Sequence, residues 1–360
     1  MTIAPAEVPS GIAEINPEWL TAALRADSPL PNSLRINDLR VQRIAEDSGF
    51  SSLLYRLSLD ATAGVPSTLI AKLPAESEAR AAMDLLGGYR REITFYREVA
   101  TRSPMDTPVV YSARMADESA DFVLLLEDLQ GWDNADHLAG LPLDRARLAI
   151  EQLAGLHAWS VRPANVAALQ SFPSLDAPAV RDLLLPAFEP GWQIYRERTS
   201  LSVPRAVARF ADRFGEYAGQ ALSSLAEHTM LLHGDIRADN LFFDGDRLKV
   251  VDFQFAATGS GIADIAYLVS QGLRTEVRRG HDEALVHEYL QQLAARGVTG
   301  YTFDDAWRRY RYGVAYFMVL PVITLLGWDG LPPRSRALCL ELTDRAIAAI
   351  SDTDALEVFE

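Results

Sequence analysis

His233-Gly234-Asp235 is followed by Asn240 and, beyond a short apolar ribbon, by Asp252-Phe253-Gln254. Asn240 to Phe243 and Leu248 to Phe253 have strand content and flank Asp244-Gly245-Asp246-Arg247, a turn with the glycine that a hairpin favours. Two carboxylates and one carboxamide are therefore delivered from the two ends of a rigid ribbon. Hard oxygen ligands of this kind suit Mg²⁺ when nucleotide phosphates supply its remaining contacts, and the chemistry of such a set is phosphoryl transfer. Asp235, unshielded by metal, is placed to accept a hydroxyl proton and orient the attacking oxygen. Asn240 and Asp252 hold Mg²⁺ against the phosphates, and His233 orients the loop through a hydrogen bond. A single Asp in a turn is ordinarily only a turn residue; the ordered set with its hairpin carries the reading.

These residues need a scaffold, and the chain offers two kinds. The first part alternates short apolar runs with turn signals: Leu39 to Ile44, Ser52 to Leu59, Ser67 to Leu73 and Phe122 to Glu127 read as strands. Ala79 to Thr101 has helical spacing, with Tyr89, Ile93, Tyr96 and Ala100 on neighbouring faces, and predicts one helix packed on that sheet. From Leu143 the pattern changes to long amphipathic helices over Leu143 to Val161, Val203 to His228, His281 to Arg296, Phe303 to Leu326 and Arg334 to Ile350. Arg162 to Arg198, rich in proline and aromatic residues, reads as an irregular excursion. The change at Leu129-Gln130-Gly131-Trp132 divides the chain into a sheet-rich lobe, 1–129, and a mainly helical lobe, 130–360.

Composition narrows the partners. The chain has 360 residues, 49% hydrophobic and 23% charged, the balance of a folded globular protein. Its formal charge of -15 repels phosphate backbones and anionic headgroups, which argues against nucleic acid and membrane surfaces as partners. The lone Cys339 excludes an intrachain disulfide and reads as a buried structural thiol, in keeping with a reducing cytoplasm. No secretory signal is expected from Met1 to Ile15, and the apolar run Val314 to Trp328, interrupted by Pro321, reads as a buried helix too short to span a bilayer.

The order Asp235, Asn240, Asp252 repeats that of the protein-kinase catalytic loop. More specifically, His233 to Asn240, Val251 to Gln254 and Gly261-Ile-Ala-Asp-Ile-Ala-Tyr-Leu268 resemble the aminoglycoside phosphotransferase and choline kinase superfamily, and Asp252-Phe253-Gln254 looks like its ecdysteroid-kinase-like branch. The resemblance extends from about Val41 to Phe317. It implies an α+β, protein-kinase-like bilobal fold with an antiparallel-sheet N-lobe and a mainly helical C-lobe. It also implies transfer of a phosphoryl group from ATP, with Mg²⁺, to a hydroxyl-bearing small molecule.

The same resemblance implies further site residues. Lys72, ending the strand-like Leu69-Ile-Ala-Lys72, would hold the α- and β-phosphates, with Glu92 of the following helix fixing its position. Val123 to Gln130 resembles the linker that reads adenine, with Glu127 and Leu129 as backbone contacts. Glu46 to Ser52 occupies the place of the nucleotide-positioning loop, with Ser51 and Ser52 at the phosphates. Asp264 either supports the catalytic loop or is a plain helix cap. Arg237 either neutralises charge on the transferring phosphoryl or is a surface arginine. His157, on an apolar helix, reads as a core histidine outside the mechanism, and the acceptor surface is assigned to Trp192, Tyr195, Tyr310, Tyr312 and Tyr316. Two other functions compete: a non-catalytic, pseudokinase-like nucleotide-binding module, and a protein kinase. Against the latter, Gly259 to Asp264 runs almost directly into a helix where a peptide-docking segment would be needed.

Overall fold

The computed structural model describes residues 7–45, 52–76 and 78–360, in two compact units: 1–102 with 107–132, and 103–106 with 133–360. The division thus falls after residue 132, and a short piece before it, 103–106, belongs with the second unit.

The first unit is built on strands β1 (Ile36–Ile44), β2 (Ser52–Ala61), β3 (Thr68–Pro74), β4 (Val110–Met115) and β5 (Phe122–Glu127). They form one antiparallel sheet in the order β1-β2-β3-β5-β4. Helix α1 (Pro17–Asp27) starts where the Asn16 side chain accepts the Trp19 amide at 2.9 Å and Pro17 takes the first position. Its Leu20 and Leu24 pack with Leu57, Ala71, Leu73 and Leu125 on one face of the sheet. Successive side chains of a strand alternate, so Ala71 and Leu73 in that core send Lys72 to the opposite face. There lies α3 (Gly88–Glu98), which buries Tyr89, Glu92 and Ile93 and brings the Tyr89 ring to 4.8 Å from Phe122. The single helix expected over residues 79–101 is two, because Gly87, at φ +71°, separates α3 from α2 (Glu78–Leu85).

In the second unit β6 (Asp133–Asn134), β8 (Leu241–Asp244) and β9 (Arg247–Val250) make one small sheet, and β7 (Thr229–Leu232) pairs antiparallel with β10 (Ala257–Ser260). The β8-β9 hairpin turns at Gly245, φ +63°, with Asp244 opposite Arg247. Helix α9 (Ile262–Gly272) is buried along its whole length. Around it pack α4 (Leu143–Ser160), α11 (Asp282–Ala295), α12 (Phe303–Tyr316) and α14 (Pro333–Asp352).

Several expectations are corrected here. Residues 203–228 form two helices, α7 (Arg205–Ala211) and α8 (Phe214–Leu225). The supposed excursion before them contains α5 (Val166–Leu169) and α6 (Pro178–Arg198), a helix that continues through Pro186 and Pro190. Stacking of Phe188 on Phe214, 3.9 Å between centroids, and on Trp192, 6.3 Å, compensates the backbone hydrogen bonds that prolines forgo. Past α12 the chain continues in the separate short helix α13 (Val319–Thr324); α10 is the single turn Thr275–Arg278. Phe303–Gly327 does reach the length and apolarity of a bilayer span, contrary to expectation, but 67% of its apolar window is buried. Trp192, Tyr195, Tyr310, Tyr312 and Tyr316 are all buried, so they are core residues and not an open acceptor surface.

Candidate active site

The loop from His233 to Asn240 leaves β7 and enters β8, and its shape is fixed from behind. Gly234 sits at φ +79°, and a Cβ there would stand 2.1 Å from the Phe255 carbonyl oxygen, so glycine is required on both counts. The buried carboxylate of Asp264, in the first turn of α9, accepts the His233 amide at 2.8 Å and the Gly234 amide at 3.0 Å. Burial alone would raise its pKa; the hydrogen bonds from His157 and the loop amide hold it below the usual carboxylate value. His157 is itself fully buried, with Nε2 3.2 Å from Asp264 and Nδ1 2.9 Å from the Tyr289 hydroxyl. An ionised Asp264 accepts, so these partners assign the proton to Nε2 and leave Nδ1 to accept from Tyr289.

His233 is fixed in the same manner. Its Nδ1 accepts the Asp235 amide at 3.1 Å, so Nε2 donates to the Val251 carbonyl at 3.0 Å. Burial pushes its pKa below the ordinary histidine value, which keeps this neutral tautomer in place. On the other side of the loop the Ala238 amide donates to His137 Nδ1 at 3.1 Å, and the His137 amide donates to Asp239 at 2.9 Å. Arg345 of α14 in turn donates to the carbonyls of His137 and Gln271, both at 3.0 Å.

Asp235 is the buried acid at the centre, 7% exposed. Arg237 Nε lies 3.1 Å from its Oδ1, the Tyr267 hydroxyl 3.5 Å from the same oxygen, and Asn240 Nδ2 3.5 Å from Oδ2. Asn240 Nδ2 makes its closer bond, 2.8 Å, to the Asp235 carbonyl, which anchors the side-chain amide through its nitrogen. Burial pushes the Asp235 carboxyl up to about 6, Arg237 opposing and Asp252 reinforcing the rise. Arg237, beside Asp235, is held above its ordinary value, so it is paired with the acid and is not a free surface arginine. Asp252 follows β9 in the left-handed region at φ +70°, uncommon for a non-glycine residue, with Gln254 Nε2 3.3 Å from its Oδ2.

In the first unit, Lys72 Nζ meets Glu92 Oε1 at 2.7 Å, with exposures of 7% and 1%. Ser52 opens β2 and is buried; among the described residues its hydroxyl has no hydrogen-bond partner. Ser51 and the rest of the loop from Glu46 lie outside the described residues. Glu127 spends both its amide and its carboxylate on Val109, at 2.8 and 2.9 Å, and the Leu129 carbonyl accepts the Trp132 amide at 3.0 Å. Between them Asp128 takes a two-pronged hydrogen bond from Arg56, at 2.7 and 3.2 Å. Lys72 and Glu92 are thus brought together within one unit, and His233, Asp235, Arg237 and Asn240 within the other.

The sequence reading passed over His137, Tyr267, Tyr289 and Arg345; it took His157 as a core histidine, and the structure shows that histidine buried with both ring nitrogens bonded, one of them to the carboxylate that holds the loop. Histidine in an apolar helix is a signal of its own, since both ring nitrogens of a buried imidazole need partners.

Comparison with known proteins sets these arrangements in context. A family model described as the ecdysteroid kinase-like family matches residues 47–297. Among curated proteins, the chain is 22% identical over 367 aligned residues to a Caenorhabditis elegans protein described as uncharacterized oxidoreductase dhs-27. That match takes in 88% of this chain but 42% of the relative, so the chain spans less than half of that protein's length. Among solved structures, the GDP complex of an aminoglycoside 2'-phosphotransferase-IIIa variant is similar at a TM-score of 0.56 and 17% identity, over 89% of this chain and 94% of that one. Choline kinase from Cryptosporidium parvum Iowa II is similar at a TM-score of 0.54 and 13% identity, over 95% of each chain. At such identities the likeness is one of fold, and the fold is protein-kinase-like: α+β, with an antiparallel sheet in the first unit and a mainly helical second unit.

Proposed function

The chain belongs to the ecdysteroid kinase-like family, and on that footing we propose that it is a small-molecule kinase that transfers the γ-phosphoryl group of ATP, with Mg²⁺, to a substrate hydroxyl. The observation that carries this reading is Asp235: a buried acid whose carboxyl is pushed up to about 6, on a loop pinned from both sides. Such a group is ionised near neutrality yet basic enough to take a hydroxyl proton as the oxygen attacks phosphorus. The new O–P bond forms as the bond to the ADP oxygen breaks, and the proton passes to Asp235.

Arg237 is in place to neutralise charge on the phosphoryl oxygens once a nucleotide competes for it with Asp235. Lys72, steered by Glu92, would hold the α- and β-phosphates, with Ser51 and Ser52 beside them and the backbone of Glu127 and Leu129 at the base. Asn240 and Asp252 would hold Mg²⁺ through oxygen. Their donor chemistry fits: a carboxylate and a carboxamide are hard oxygen ligands of the kind Mg²⁺ takes together with phosphate oxygens. The metal supplies charge neutralisation across the phosphates. Residues 253–261 between Asp252 and α9 contain β10 and leave no long peptide-docking segment, which favours a small acceptor over a protein.

The test is Mg²⁺-dependent ATP consumption across pooled hydroxylated small molecules, beside an Asp235→Asn variant. Acceptor-dependent ADP release that vanishes in the variant supports the proposal. Tight Mg·ATP binding without turnover on any pool would instead indicate a nucleotide-binding module.

A further inference from the structure

The last turn of α6 meets the middle of α14, the Tyr195 hydroxyl donating to Asp344 at 2.5 Å. Beside this junction the guanidinium carbons of Arg198 and Arg336 each lie 5.3 Å from the centre of the Trp328 ring. A cation–π contact suffices to rest one arginine on an indole. Two like charges gathered on one ring repel each other unless an anion answers both. Neighbouring arginines have such partners: Arg196 pairs with Asp212, Arg334 with Asp136 and Arg345 with Glu341. Among the described residues Arg198 and Arg336 make no ion pair, although the chain carries a net charge of -15 and carboxylates are abundant. Arg336 donates to the Asp329 carbonyl at 2.9 Å, while its Nε is buried without an acceptor among the described residues. Leu201, close to Arg198 in the chain, and Leu326, close to Trp328, are 41% and 46% exposed and set apolar surface beside the charges.

Helix α14 ties this cluster to the catalytic loop. Arg336 and Cys339 stand at i and i+3 and share a face of the helix. Cys339 is buried, so this face of α14 is turned into the second unit. Arg334 holds Asp136 at 2.7 Å, directly before the His137 that accepts from Ala238 of the loop.

We propose that Arg198, Trp328 and Arg336 form the subsite for the anionic end of the acceptor, which is then a hydroxylated acid, a carboxylate or phosphate ester with an apolar body. The word acceptor rests on the kinase reading above; the anion site is a binding claim in its own right. Two guanidinium groups give charge-assisted hydrogen bonds to an oxyanion, the indole and leucines cover the apolar part, and the hydroxyl is carried toward Asp235.

Calorimetric titration without nucleotide decides it, using length series of ω-hydroxyalkanoates, ω-hydroxyalkyl phosphates and the matching uncharged diols. Wild type is compared with the Arg198→Gln/Arg336→Gln variant. We expect one anion series to bind about tenfold or more tighter than its diols, the preference to disappear in the variant, and Mg·ATP binding to be unchanged. The tighter series identifies the headgroup as carboxylate or phosphate. Equal binding of anions and diols by wild type across all lengths, or a preference that survives in the variant, overturns the proposal. Arginine-dependent anion binding with no phosphate transfer to any member would leave the anion site standing and count against the kinase reading.

Discussion

Lys72 and Asp235 are both charged groups buried in a mainly apolar setting, yet the two units hold them in opposite ways. Lys72 is set by elements close in sequence: β3 presents it, and α3, with only the short α2 between, brings Glu92 to 2.7 Å. Asp235 owes its position to residues scattered along the second unit, among them His137, His157, Asp264 and Arg345. A cation with a local partner tolerates variation around it. An acid whose burial exceeds its neutralisation depends on every group that keeps the loop in place.

The sharpest test of this contrast is Asp235→Asn. Loss of the proton acceptor should lower turnover by about 10²–10⁴-fold. Stability should move the other way, because the carboxyl is raised from 3.8 to about 6 and the folded protein prefers it protonated. The sign is that of a raised acid: its contribution to stability is present at low pH and is lost as pH rises through about 6. At pH 7 the variant should therefore be more stable by about 1–3 kcal/mol, and near pH 4 equal to wild type. Thermal melts across that range check it; a variant less stable at pH 7 would show that Arg237 needs the charge more than burial resists it.

Lys72→Met should cost about 3–5 kcal/mol, since it leaves the Glu92 carboxylate buried without its cation. Adding Glu92→Leu should restore most of that stability in urea titrations, while nucleotide affinity stays low. If the double variant is no more stable than the single one, the pair is not the local unit described here. In the other unit His157→Phe should cost about 1–3 kcal/mol by stranding one acceptor site of Asp264 and the Tyr289 hydroxyl. It should lower kcat more than it raises the KM for ATP, whereas a merely structural core histidine would leave that ratio unchanged. The mildest perturbation is pH: below about 6, kcat/KM for the acceptor should fall about tenfold per unit and level off above it. A profile flat down to pH 5 would remove Asp235 from the role of base.

Legibility in the sequence followed the range of the interactions. The hairpin carrying Asn240 and Asp252 was readable because strand alternation and a Gly-containing turn are local signals. So was the strand-like run Leu69-Ile-Ala that carries Lys72 in β3. Strand β4 escaped notice because Ser112 and Arg114 are polar yet buried, both bonded at 2.6 Å to Asp27 of α1. Helix α6 escaped because its prolines argue for irregular chain, and only the aromatic stack with α8 outweighs them.

By itself, then, the sequence determined which residue types stand in which order: an acid, a carboxamide and a second acid at the ends of a ribbon, and a lysine ahead of a helical glutamate. Such features depend on backbone periodicity and turn chemistry, which act over a few residues. Only the tertiary structure decided that His157 and Tyr289 stand behind Asp264, that Arg237 is paired with Asp235, and that burial lifts this acid to about 6. Burial and hydrogen bonding are properties of a neighbourhood assembled from distant parts of the chain, and no local pattern encodes them.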